Sequence, residues 1–250
     1  MVAVRAHLSH YGGEGQSQGR KGSRVNRIKA VRQALDGRAN SVYLEIGVKR
    51  GWAFKRITAG EKIAVDPALK LSGRTRRQAE AKGATRYFAM TSDEFFENEA
   101  AVLDRGVDVA LIDGLHTYEQ ALRDVENTLR YLRDDGVIFL HDCNPALEIM
   151  GRPAASYEEF LAQQSGLVRW GIWNGDVWKA IVHLRTRNDL RVAVLKCDFG
   201  VGVVKRNSSE PDLSFSPAQV AALTYEDLAS DRKRLLNLKP PAALGELLHS

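Results

Sequence analysis

Val42-Tyr43-Leu44-Glu45-Ile46-Gly47-Val48-Lys49-Arg50-Gly51 is the stretch from which the rest of the chain can be read. Valine, tyrosine and isoleucine make residues 41–46 an extended run, and glycines 47 and 51, spaced E-x-G-x-x-x-G with Glu45, mark where the chain leaves it. Glycine turns tightly and lets the backbone pass close to a ligand. A helix is expected to follow over 52–59, its N–H groups aimed at the crevice beyond the strand.

Outward from this stretch, short apolar runs alternate with longer amphipathic ones, the pattern of βαβ units and a parallel sheet. Further strands are expected at 62–66, 85–90, 107–113 and 137–142, with helices at 75–82, 93–103 and 118–133. Tyr118, Ala121, Leu122, Val125, Leu129 and Leu132 mark one face of the last helix. Before the first strand, Val25, Ile28, Val31, Ala34 and Leu35 recur at helical spacing as far as Asp36-Gly37. After Asp142 the rhythm breaks into an irregular stretch with a helix at 157–164. Two extended runs follow, at 177–184 and 191–204. The link Arg187-Asn188-Asp189 is too short for a parallel crossover, so these two runs are expected to pair antiparallel. The fold class expected is α/β, doubly wound and Rossmann-like, with five parallel strands, a closing antiparallel hairpin and helices on both faces.

The 250 residues, 44% of them hydrophobic, suit one domain. Residues 1–23, rich in Gly, Gln and Ser, are expected to form a flexible arm. The domain should span 24–208, with a lid insertion at about 144–176, and 209–250 should pack on it as a loop and a helix near 225–238. No run approaches the roughly eighteen apolar residues of a membrane span. The N-terminus has no apolar secretory core, and Cys143 and Cys197 make no disulfide framework, so the cytoplasm is the expected compartment. The formal charge of +5 is concentrated in the first forty residues, where eight Lys/Arg stand against Glu14 and Asp36. The remainder is close to neutral, which argues against nucleic acid as a partner and for a small molecule. The basic arm and the C-terminal helix leave a homodimer open.

Glu45 decides between cofactors. A nicotinamide dinucleotide site wants G-x-G-x-x-G and a pyrophosphate at this turn, and a carboxylate here repels phosphate. It suits a cofactor with a cationic amino acid end, such as S-adenosylmethionine. Asp66 closes the second strand where an acidic side chain bonds ribose hydroxyls, or serves as a turn residue before Pro67. Ser92 and Asp93, beyond the third strand, stand either at the rim where a base edge is read or as the start of a capped helix.

Leu111-Ile112-Asp113-Gly114-Leu115-His116-Thr117-Tyr118 and Gly136-Val137-Ile138-Phe139-Leu140-His141-Asp142, joined to the glycine loop and Asp66, resemble class I S-adenosylmethionine-dependent methyltransferases of the small-molecule O-methyltransferase type. The nearest likeness is to the macrocin O-methyltransferase-like group, with catechol O-methyltransferase more distant; it covers about 24–206. The resemblance implies a seven-stranded sheet and a transferase that methylates a hydroxylated small molecule. Glu45, Gly47, Gly51, Asp66, Ser92, Asp93 and Asp113 would bind the cofactor. It also makes the fourth and fifth strands neighbours, so Asp113 and Asp142 should converge, a pair suited to Mg²⁺ or a similar divalent cation. The chain departs from its metal-dependent relatives at Cys143, where another oxygen ligand commonly follows the aspartate. His141 is either a third ligand or a core residue. His116, three residues past Asp113, is the expected general base beside Asp113 in the catalytic pair. Met150, Arg152, Tyr157, Trp170 and Trp173 are expected to wall a substrate pocket. Two other readings stay open: an NAD-dependent oxidoreductase, and a non-catalytic protein that binds an adenosyl ligand.

Overall fold

The computed structural model describes residues 25–165, 171–207 and 213–249. The expected arm over 1–23 and the contribution of Trp170 lie outside them. Helix α1 (Arg27–Leu35) starts at Asn26, whose side chain accepts from the Lys29 amide, and leads into β1 (Val42–Ile46). Then come β2 (Glu61–Val65), α2 (Gly73–Glu80), β3 (Ala84–Phe88), α3 (Ser92–Asn98), β4 (Val107–Ile112), α4 (Tyr118–Leu129) and β5 (Leu132–Leu140). The rest of the chain gives α5 (Tyr157–Ala162), α6 (Val177–Leu184), β6 (Leu190–Leu195), β7 (Val201–Arg206), α7 (Pro217–Ala222), α8 (Tyr225–Leu235), β8 (Leu238–Lys239) and α9 (Leu244–His249).

Among the described residues the sheet has eight strands in the order β3-β2-β1-β4-β5-β7-β6-β8. β1 to β5 run parallel, and β7 is antiparallel to both β5 and β6. The eighth strand is the two-residue β8, parallel to β6. The direction in which successive strands are added to the sheet reverses between β1 and β4, and at such a switch point the connecting loops diverge and leave a crevice at the carboxyl ends of the strands. Alternate residues feed two cores. Val42, Leu44, Ile46, Ala110 and Ile112 face α4 and α6, while Tyr43, Val109, Leu111 and Phe139 face α1 and α9.

Three expectations are corrected. Residues 177–184 form a helix, α6, so the closing hairpin is β6–β7, turning through 196–200. α6 is buried on nearly every side between α4, α7 and β6, and so lacks the polar face by which a surface helix is recognised. The glycine loop opens into only one turn of 3₁₀ helix, Phe54–Arg56. There the Phe54 carbonyl is taken by the buried Lys62 ammonium at 2.8 Å, and Ile57 is already extended. Positive charge is also not confined to the first forty residues. Between Lys49 and Arg86 eleven Lys/Arg stand against Glu61, Asp66 and Glu80, and Lys55, Arg56, Arg74 and Lys82 share a groove beside α2 that no carboxylate lines. No helix of the described residues is long and apolar enough to cross a membrane.

Candidate active site

The crevice beyond β1 and β4 is a cleft with two lobes. The larger, about 710 Å³, is lined by Arg27, Glu45, Asp113, His116, His141, Asp142, Trp52, Tyr157, Trp173 and Phe199. The smaller, about 380 Å³, is lined by Val65, Asp66, Ser92, Asp93, Leu115, Gln120 and Asp124. Gly47, Lys49, Asp113 and Gly114 border both.

Gly47 forms this seam. Its φ is +89°, and a Cβ there would lie 2.0 Å from the Asp113 carbonyl oxygen. The glycine is thus required by the close crossing of two chain segments, with Gly51 (φ +68°) serving the turn that follows. Glu45 is buried on the α1 side and accepts a 2.5 Å hydrogen bond from the Tyr43 hydroxyl. Burial pushes its carboxyl up to about 8, against the pull of that hydrogen bond. In place of the carboxylate expected from the sequence, the protein alone holds a protonated Glu45 at neutral pH.

In the smaller lobe both oxygens of Asp66 accept backbone amides, from Lys49 and Ala68, each at 2.7 Å. Asp66 is therefore a turn residue and a lining residue at once. The cap of α3 is Thr91, in a capping box with Glu94, which leaves Ser92 and Asp93 facing the lobe. Gln120 Nε2 donates to the Ser92 hydroxyl at 3.1 Å, to Asp93 at 3.2 Å and to Asp124 at 3.0 Å, while Arg123 pairs with Asp93. Asp124 is buried, and burial raises its carboxyl to about 6. Sequence reasoning missed Asp124; a carboxylate on the buried face of an amphipathic helix was the available signal.

In the larger lobe Asp113, Asp142, His116 and His141 do converge. His116 Nε2 stands 3.4 Å from Asp142 Oδ2 and 3.7 Å from Asp113 Oδ1. Its Nδ1 lies 2.8 Å from the Trp173 carbonyl, a contact that assigns the Nδ1 proton and leaves Nε2 as the basic nitrogen. Burial pulls the pKa of His116 down, but Asp142 and Asp113 outweigh it and the net shift is upward. Asp113 would be raised by burial, yet His141, His116 and Arg27 hold it well below the usual carboxylate range. Asp142 sits at φ +60° and accepts from Asn174 Nδ2 at 2.6 Å.

Two residues absent from the sequence reading complete the cluster. Arg27, from the first turn of α1, reaches Asp113 Oδ2 with Nε at 3.4 Å and donates through Nη1 to Asp198 at 2.9 Å. Asp198 lies in the β6–β7 turn at φ +46° and also accepts the Arg27 backbone amide. The expected extended run at 191–204 passed over this turn, although Asp198-Phe199-Gly200 carries a turn signature.

Asp113, His141 and Asp142 offer atoms within 4.8 Å of one another, the geometry the expected metal needs. The hydrogen bonding does not fit it. His141 presents Nδ1 to Asp142 at 3.0 Å and to Asp113 at 3.2 Å, while Arg27 Nη1 donates to Nε2 at 3.0 Å. The form protonated on Nδ1 satisfies all of these contacts. A metal would need the Nδ1 lone pair and would meet the Arg27 guanidinium.

Around this cluster Trp173 and Tyr157 line the cleft as expected. Trp173 stacks on Phe160 and donates to the Arg152 carbonyl; Met150 is buried beneath and does not line the cleft. Residues 173–176 are stitched to the loops after β4 and β5. Beyond the contacts of Trp173 and Asn174, a Cβ on Gly175 would lie 1.8 Å from the His116 carbonyl, and Asp176 Oδ1 accepts the Tyr118 amide at 2.8 Å.

Residues 44–143 match the family described as a methyltransferase domain. That stretch runs from β1 through the carboxyl end of β5, less than half of the chain. No curated protein matches the chain. Among solved structures, the SAH-bound methyltransferase PaMTH1 from Podospora anserina is similar over 72% of this chain and 76% of its own, at 14% identity and a TM-score of 0.45. An O-methyltransferase from Bacillus cereus in complex with SAH is similar over 81% of this chain and 86% of its own, at 12% identity and a TM-score of 0.42.

Proposed function

We propose that the chain is an S-adenosylmethionine-dependent methyltransferase that acts on a hydroxyl group of a small molecule. The observation that carries this reading is the shared seam: a nucleoside-sized lobe and a lobe holding a histidine base open on each other at Gly47, Asp113 and Gly114. The match of residues 44–143 to a methyltransferase domain supports it.

In the smaller lobe, the lone pairs that Asp66 keeps beyond its two amide bonds are available to a ribose diol. Leu115, 43% exposed, offers an apolar surface to a purine face, and Ser92, Asp93 and Asp124 offer polar groups to its edge. Glu45 stands in the other lobe near the seam, where an approaching ammonium group would draw off its proton. Bound across the seam, S-adenosylmethionine supplies an electrophilic methyl group on a sulfonium centre. His116 Nε2 then takes the proton of the acceptor hydroxyl, and Asp142 and Asp113 stabilise the imidazolium that forms. Trp173 fixes the ring's orientation through Nδ1, and Trp173 and Tyr157 narrow the access of water.

The dinucleotide reading is disfavoured by the glycine loop itself. A pyrophosphate there would face Glu45 without the N-terminus of an α-helix, since only a 3₁₀ turn follows. Calorimetric titration of the purified protein with S-adenosylmethionine and with NAD tests the choice. One site for the sulfonium cofactor and none for NAD is expected; the reverse would overturn the reading. Incubation with methyl-labelled cofactor and a panel of hydroxylated acceptors then identifies the substrate.

A further inference from the structure

We infer that Arg27 is the built-in cation of the acceptor lobe, standing beside the place where a divalent metal would otherwise bind, so that methyl transfer here proceeds without one. The inference rests on the methyltransferase reading for its role, but its geometry stands apart from that reading.

Asp113, Asp142 and Asp198 bring three carboxylates to one end of the sheet, each largely withdrawn from solvent. Carboxylates this close need a cation or a shared proton between them. Arg27 supplies the cation from a fixed position. Its backbone amide and its Nη1 both bond Asp198 Oδ2, at 3.0 and 2.9 Å, Nη1 also donates to His141 Nε2, and Nε faces Asp113 Oδ2 at 3.4 Å. The guanidinium is thus anchored at both ends of its side chain. Its planar fork serves several acceptors at once, which a lysine ammonium could not do in the same geometry.

The same contacts close the site to a metal. An ion between Asp113 and Asp142 would have to displace both hydrogen bonds that His141 Nδ1 makes to these carboxylates, at 3.2 and 3.0 Å. It would also bring a second positive charge beside the guanidinium. The remaining nitrogen of Arg27, Nη2, has no hydrogen-bond partner among the described residues; the guanidinium lies 5.2 Å from the centre of the Trp52 ring, and both side chains line the cleft.

Mn²⁺ alone is the probe, followed by electron paramagnetic resonance and by thermal shift on the full chain. The wild type should take up no Mn²⁺ that Asp113→Asn removes. Arg27→Met, which keeps the length of the stem and removes the charge, should gain one Mn²⁺ site and be stabilised by the ion, and the double variant Arg27→Met/Asp113→Asn should lose it again. Arg27→Lys should still exclude the ion. A wild-type site abolished by Asp113→Asn overturns the inference, as does a folded Arg27→Met variant that takes up no ion. If Arg27→Met fails to fold, the comparison of wild type with Asp113→Asn decides alone. Titration of the same samples with S-adenosylmethionine keeps the two readings separate: no cofactor binding together with the expected Mn²⁺ pattern sinks the function and leaves the resident cation in place.

Discussion

Glu45 is buried and His116 half-buried beside the seam, and their neighbours set them opposite tasks. Flanked by Asp142 and Asp113, His116 is raised above its ordinary value of 6.5 despite burial. Only its neutral form accepts a proton, and that fraction grows as pH rises past the raised pKa. Turnover should therefore climb with pH through a midpoint above 6.5 and then level off. His116→Gln should lose about 10²- to 10⁴-fold in kcat, together with that pH dependence, at unchanged cofactor affinity; a retained profile would remove His116 from the chemistry. Glu45 has no cation close enough to offset its burial, and its pKa of about 8 lies above the ordinary value of 4.5. The folded state then binds more protons than the unfolded chain between these two values, so the contribution of Glu45 to stability falls as pH rises through that window. Glu45→Gln should be more thermostable than the wild type by a margin that widens toward about pH 8, on the order of 1 kcal/mol or about 2–4 °C. It should bind S-adenosylmethionine more weakly. In the wild type, cofactor affinity should increase from about pH 6 to about pH 8, with proton release on binding visible by calorimetry in buffers of different ionisation enthalpy.

At the scale of elements, the glycine loop gives a controlled comparison. Gly47 (φ +89°) and Gly37 (φ +74°) both occupy the left-handed region, but a Cβ on Gly37 meets nothing within 4 Å, whereas one on Gly47 strikes the Asp113 backbone. Gly37→Ala should cost about 1 kcal/mol for the conformation alone. Gly47→Ala should cost several times more and disturb both lobes, as chemical denaturation and cofactor titration can show. This contrast also marks what could be read from the sequence. The strands ending at Glu45-Ile46, Asp66, Asp113 and Asp142 were legible because each pairs a continuous apolar run with a polar residue where the chain leaves the sheet. α6 was not, because Val177-Trp178-Lys179-Ala180-Ile181-Val182-His183-Leu184 is rich in β-branched residues and its helical state comes from burial between three neighbours. Nor was the failure of a helix to follow Gly51, since that depends on Lys62 reaching the Phe54 carbonyl from another strand. Among the site residues, Glu45, Asp66, Asp113, His116 and Asp142 stood at strand ends or in the loops that follow them. Arg27 and Asp198 reach the site from α1 and the distant β6–β7 turn, contacts that no local pattern encodes.

Across the whole molecule, segments far apart in sequence meet at the acceptor lobe, and the C-terminal region reaches it without lining it. β8 adds to the sheet edge beside β6. From α8, Arg232 Nη1 donates to Asn144 Oδ1 and to the Pro145 carbonyl, both at 2.6 Å, just after Asp142 leaves β5. The amides of Cys143 and Asn144 are themselves bonded to Gly200 and Phe199 in the turn that carries Asp198. Arg232 thereby fixes the backbone on which Asp142 and the start of the 144–176 segment depend, while the smaller lobe is built from the opposite half of the sheet. Arg232→Ala should lower stability by roughly 1–3 kcal/mol through the two acceptors it leaves behind. Its local effect discriminates better. Hydrogen exchange should quicken at 143–151 and in the β6–β7 turn, with little change in β1 to β3, and cofactor affinity should stay within about twofold while acceptor KM rises. Exchange that quickens evenly across the sheet, or a loss of cofactor binding equal to the loss of acceptor binding, would show that the two lobes are not held independently and that α8 acts only as bulk support.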